Sequence, residues 1–116
     1  MQILFIVNDP PYGTERAYNA LRHVNAVAQQ PGVAVRLFFM ADAVQGARRG
    51  HTPPNGWYNL EHMIQRAAQL GVACGACGSC MDTRALPADA LIAGVHRSSL
   101  EELTQWTLAA DKVVVY

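Results

Sequence analysis

The sequence predicts an α/β domain, a three-layer α/β/α sandwich built on a mainly parallel sheet of four to five strands. Two observations lead there. The apolar runs ILFIV (3–7) and VAVRLFFM (33–40) are continuous rather than alternating, as in strands buried on both faces, and KVVVY (112–116) closes the chain as a further strand. Between them lie stretches with helical spacing of apolar residues, and strands alternating with helices favour parallel βαβ units.

The elements follow in order. Residues 3–7 form the first strand, and Asn8 to Gly13, with Pro10 and Pro11, interrupt regular structure. Thr14 is placed to cap a helix whose Ala17, Ala20, Leu21, Val24, Val27 and Ala28 share one face. Pro31-Gly32 ends it. Val33 to Met40 is a second strand with Arg36 as its one charge, which completes a βαβ unit. Periodicity then weakens from Ala41 to Tyr58. A helical turn is expected over Ala41 to Ala47, followed by a long surface loop rich in Gly, Pro and Arg. Asn59 caps a helix with Leu60, Met63, Ile64, Ala67 and Ala68 on one face, and Gly71 stops it. Val72 to Ala76 is read as a short third strand and Leu91 to His96 as a fourth. Ser99 and Glu102 form a capping box for a helix over Leu100 to Ala110, and Lys112 to Tyr116 is a terminal strand.

A chain of 116 residues, 51% apolar and 16% charged with a mean hydropathy of +0.05, is suited to one packed domain, 1–116, and not to disorder. Nine Lys+Arg balance nine Asp+Glu, and the eight arginines are scattered from Arg16 to Arg97. Without a basic stripe, direct nucleic-acid binding is not expected. No apolar run approaches the ~18 residues of a membrane span, and Arg16, the first basic residue, follows the first apolar run instead of preceding it. The reading is a cytoplasmic protein that does not engage a membrane.

In that compartment structural disulfides are rare, so the cluster Cys74, Cys77 and Cys80 points to chemistry or metal binding. CGACGSC holds two overlapping C-x-x-C pairs, a spacing shared by dithiol exchange, zinc and iron–sulfur ligation. Both metal readings want a fourth ligand, which would have to come from His51, His62, His96 or a second chain. Cys74, beside Val72 and Ala73, suits a buried hydrophobic role. Cys77 falls where the third strand meets a helical turn around Ser79 to Arg84, a setting that favours a thiolate. Arg84 is a candidate positive charge there, and Gly75 and Gly78 leave room for an approaching sulfur. Parallel strands end on one edge, so Tyr12 and Asp42, from the loops after the first two strands, are candidates to border Cys77 and orient a sulfur donor. Turn chemistry explains both equally well. His51 is a candidate acid or base, although an isolated surface histidine is more commonly inert. Arg48 and Arg49 read as solvated or paired charges, with anion binding second. Trp57 and Tyr58 suit either a subunit interface or the core.

At this point the chain resembles the DsrE/DsrF-like sulfur-relay family, and within it the small YchN-type proteins. The resemblance rests on PPYG (Pro10 to Gly13), RLFFMADAV (Arg36 to Val44), RRG (Arg48 to Gly50) and Tyr58-Asn59. It continues through C-x-x-C-x-D-x-R (Cys77 to Arg84), Leu91 to Val95 and QWTLAADKV (Gln105 to Val113). It implies a three-layer α/β fold, homo-oligomers that are hexamers in YchN-like members, and a sulfurtransferase-type carrier that holds sulfane sulfur as a persulfide. Cys77 matches the persulfide cysteine and Cys80 the second cysteine of the YchN-type pattern, whereas Cys74 lies outside both. The expected protein takes sulfur from a donor protein onto Cys77 and passes it to an acceptor, with Cys80 as resolving thiol and no resident cofactor or metal. An oligomer holding a metal or an iron–sulfur cluster on the cysteines, and a non-catalytic binding module, are the competing classes.

Overall fold

The continuous apolar runs do become neighbouring strands of one sheet in the computed structural model, which describes residues 1–116. The strands are β1 (Gln2–Val7), β2 (Ala34–Phe39), β3 (Ala73–Cys77), β4 (Val95–Ser98) and β5 (Lys112–Val115). All neighbours pair in parallel, in the order β4-β3-β2-β1-β5. The connecting helices are α1 (Arg16–Ala28), α2 (Leu60–Gln69), the short α3 (Gly78–Asp82) and α4 (Leu100–Ala109). A 3-10 turn at Ala41–Gln45 follows β2 directly.

The strand order has a simple physical logic. From β1 to β4 the chain steps one strand at a time in one direction, and α1 and α2 lie together, the Asn25 side chain donating to the Met63 carbonyl at 3.1 Å. After β4 it turns back through α4 to the far side of β1. Right-handed crossovers in opposite directions place their helices on opposite faces. Accordingly, Phe5 meets His23 of α1 edge-on at 5.0 Å, whereas Phe38 meets Trp106 of α4 edge-on at 6.3 Å. Strand alternation therefore directs Phe5, Leu37 and Cys74 to the α1/α2 layer, and Phe38, Gly75 and Cys77 to the α4 side. Gly75 is small because Trp106 and Ser98 pack over it: an added Cβ would lie 3.3 Å and 3.0 Å from them. No helix is long and apolar enough to cross a membrane.

Several boundaries differ from the sequence reading. Glu15 occupies the position before α1, although the Thr14 hydroxyl still accepts the Arg16 N–H at 3.3 Å. The fourth strand is Val95–Ser98 and not Leu91 to His96. Leu91 and Ile92 are buried as loop, with Leu91 bridging antiparallel to Arg48 and the Ile92 N–H donating to the Ala47 carbonyl at 2.9 Å. Gly94, at φ +96, breaks extended backbone before β4 can begin. The capping box is half made. Ser99 Oγ accepts the Glu102 N–H at 3.1 Å, but the Glu102 carboxylate accepts from Ser98 Oγ at 2.5 Å and pairs with His96.

Candidate functional site

Because every strand is parallel, the loops after β1, β2 and β3 open on the same edge of the sheet, and the cysteine turn sits there. Cys77 is the last residue of β3 and caps α3, so its sulfur faces the free backbone N–H groups of a first helical turn. Its Sγ lies 3.3 Å from Ser79 Oγ. Burial pushes the Cys77 thiol up, but hydrogen bonding from the Cys80 and Ser79 side chains and from their backbone N–H groups outweighs it. The net result is a thiol held below its ordinary value.

Cys80, one turn on, is shifted the other way. Burial and the neighbouring Cys77 raise it more than the Ala41 N–H and the Arg84 charge lower it. The Ala41 N–H donates to Cys80 Sγ at 3.2 Å, and Ala41 holds a left-handed φ of 48° to do so. For a residue with a Cβ that conformation costs about 1–2 kcal/mol, so the surrounding structure keeps strained backbone against this sulfur. The pair thus divides its roles: Cys77 loses its proton first and Cys80 remains the thiol that donates to it.

The cation beside Cys77 is Arg97, which sequence reasoning missed. Its guanidinium lies across Gly78, where an added Cβ would sit 2.9 Å from Arg97 Cζ. It is fixed there by two hydrogen bonds to the Asp82 carboxylate, at 2.8 and 2.9 Å. Asp82 raises the Arg97 guanidinium's already high pKa, and the Cys77 charge adds to that in smaller part. The space expected beside Gly78 is therefore filled within the chain by Arg97, and that beside Gly75 by Trp106 and Ser98. Finding Arg97 from sequence would have required knowing that β4 lies next to β3.

Arg84, the cation expected at Cys77, is joined instead to Asp42 and Cys80. Its Nε and Nη2 donate to Asp42 Oδ1 at 3.1 and 3.0 Å, and Nη1 donates to the Cys80 carbonyl at 3.1 Å. Arg84 and Asp42 thus meet at the cysteine turn, where they tie the 3-10 turn to α3 on the Cys80 side. Tyr12 takes another place. Its hydroxyl lies 2.6 Å from His51 Nδ1 and accepts the Leu60 N–H at 3.2 Å, and the ring borders two hollows whose linings contain no cysteine. The aromatic pair separates as well: Trp57 is 61% exposed, whereas Tyr58 stacks on Tyr18 and Tyr12.

Cys74 is 1% exposed on the opposite face of β3, and burial pushes its thiol up to about 12. No three His, Cys, Asp or Glu side chains gather as a group able to hold a metal. What the turn offers chemically is a lowered thiol, a second thiol three residues on and a clamped guanidinium.

The sequence model of the DsrE/DsrF-like family matches residues 1–116. The chain belongs to the DsrE/DsrF-like family. YchN of Escherichia coli K12 is 39% identical over 116 residues, covering 99% of this chain and 98% of that protein. The crystal structure of E. coli YchN superposes with a TM-score of 0.94 over 99% of this chain and 98% of that one. Sulfurtransferase TusD of Salmonella typhi is 29% identical over 128 aligned positions that span both proteins fully. Within this DsrE/DsrF-like chain, the α/β fold and the all-parallel sheet agree with the sequence expectation and with the YchN structure.

Proposed function

We propose that this protein is a sulfur-relay protein that carries sulfane sulfur as a persulfide on Cys77. The family and the TusD relatives support a sulfur-relay role in general. The observation that carries the finer reading is the geometry of the turn, with Cys77 at the start of α3 3.3 Å from Ser79 Oγ, Cys80 three residues on and the Arg97 guanidinium over Gly78, and the shifts of the two thiols, Cys77 down and Cys80 up, agree with it.

In the proposed step the Cys77 thiolate attacks the terminal sulfur of a donor persulfide. The donor's S–S bond breaks, the donor leaves as a thiolate, and Cys77 becomes Cys77–S–SH. An acceptor thiolate then takes the outer sulfur and Cys77 leaves as thiolate, so no net oxidation occurs. Without an acceptor, Cys80 gives up its proton and attacks Cys77 Sγ. The outer sulfur departs as hydrosulfide, and the two cysteines are left as a disulfide, oxidised by the two electrons the sulfur gained. Arg97 holds positive charge beside the sulfur that alternates between thiolate and persulfide.

The same reading includes assembly. A self-associating chain, a hexamer by analogy with YchN-like relatives, would cover the exposed apolar side chains Trp57, Leu100, Leu108 and Val115 and give the Cys77 turn a wall from a neighbouring copy. Donor and acceptor are proteins of the reducing cytoplasm. Intact-mass measurement after incubation with a persulfide donor tests the carrier role. Wild type and Cys74→Ser gain one sulfur atom and Cys77→Ser does not, and equal loading of Cys77→Ser would overturn the assignment. Sedimentation velocity at micromolar concentration tests assembly, and a monomer would refute it.

A further inference from the structure

A second polar site forms where the loop after the 3-10 turn passes Tyr12. A hollow of about 260 Å³ opens there, lined among others by Tyr12, Gln45, Arg48, Arg49 and His51, and none of its lining residues is acidic. Pockets for drug-sized ligands run from roughly 300 to 1,000 Å³, so an occupant of this one is small.

The donors are arranged by the chain itself. Arg49 is anchored through one N–H to the Asp89 carbonyl, and Arg48 takes part in no ion pair. Tyr12's hydroxyl accepts the Leu60 N–H at 3.2 Å and lies 2.6 Å from His51 Nδ1, a contact that fixes the imidazole at the edge of the hollow. Glu61 Oε1 accepts from the backbone N–H groups of two lining residues, Gly50 and His51, at 2.9 and 2.8 Å, which secures the loop and leaves the side chains of Arg48, Arg49 and His51 as the donors open to a ligand.

We infer that this hollow binds a small tetrahedral oxoanion, a phosphate ester or a sulfur oxoanion, between Arg48, Arg49 and His51. Guanidinium forks match such anions in geometry and charge, and neither Arg48 nor Arg49 is paired with a carboxylate. The site is separate from the thiols. Ala41, whose N–H reaches Cys80, and Gln45, which lines the hollow, are the two ends of one 3-10 turn, about 8 Å apart at ~2 Å per residue. The inference therefore stands independently of persulfide carriage.

The test is a titration of the full chain, followed by backbone amide chemical shifts, with phosphate, sulfate and thiosulfate each set against sodium chloride at matched ionic strength. Saturable shifts confined to Tyr12, Gly50, His51 and their neighbours are expected with the oxoanions and not with chloride. Tighter binding of phosphate points to a phosphate ester as the natural ligand, and tighter binding of sulfate or thiosulfate to a sulfur oxoanion. Charge-assisted hydrogen bonds contribute enough that Arg48→Gln should weaken binding by about tenfold or more. Gln45→Glu, nearly isosteric, places a carboxylate in the hollow and should remove binding while the remaining spectrum stays folded. Shifts that match chloride, or unchanged affinity in the folded Arg48→Gln and Gln45→Glu proteins, would overturn the inference.

Discussion

Exposing the native chain to a small chromogenic aromatic disulfide at about pH 8 should modify two thiols promptly and the third slowly, and the slow one is Cys74. The burial that pushes its pKa up to about 12 leaves roughly one molecule in ten thousand ionised at that pH, against about a quarter for a free thiol. The deficit is about 2,000-fold. A more basic thiolate is a better nucleophile, but at a Brønsted slope near 0.45 the difference recovers only about 40-fold. Ionisation wins, leaving Cys74 about 50-fold slower than a free thiol before access is considered. Access widens the gap, because a sulfur 1% exposed needs the fold to open before a reagent can reach it. Cys77, held below the ordinary thiol value, reacts first, and Cys80 follows by attack on the mixed disulfide or on the reagent. Released chromophore, followed by absorbance, should show a prompt phase of two equivalents and a third only slowly or on denaturation. Cys74→Ala should keep the two prompt equivalents, and Cys77→Ser should lose the leading one. Three equivalents in the prompt phase of the native protein would refute the burial argument, as would a Cys74→Ala protein that lost one.

Three further outcomes follow from the same geometry. Cys80→Ala removes the side-chain donor that most lowers Cys77, so the alkylation midpoint of Cys77 should move to higher pH, and an unmoved midpoint would show that the two thiols are uncoupled. In alkali the unfolded chain ionises Cys74 while the native one keeps it protonated. Stability then falls as pH rises above the ordinary thiol value, by about 1 kcal/mol between about pH 9 and 10; denaturant titrations should show that increment in wild type and not in Cys74→Ala. Gly94→Ala combines a φ of +96° with a Cβ 2.8 Å from that of Ala68, and calorimetry should find a loss of about 1–3 kcal/mol.

Local sequence was enough for the class of the fold and for placing the cysteine segment at the end of a strand that runs into a helical turn. Continuous runs such as ILFIV admit few settings other than a sheet buried on both faces. The Asn59 cap and the Leu60, Ile64 and Ala67 stripe are local patterns that needed no partner to be legible. Cys77 at a strand-to-helix turn was visible for the same reason, since glycine spacing and the cysteine pair are local features. The fourth strand was misplaced because Leu91 and Ile92 look like strand residues but bury themselves against the Ala47 to Arg49 backbone, a contact that spans more than forty residues. What surrounds the sulfur depends on how the chain packs. Proximity to Cys77 depends on which strand lies beside β3, and strand order is set by crossover direction, which leaves no mark in local periodicity. That is why Arg97, beside Asp82 and over Gly78, took the place expected of Arg84. It is also why Tyr12, on the same sheet edge, turned to His51 and a different hollow. Periodicity records which face a residue presents, and only the packed chain records which residues that face meets.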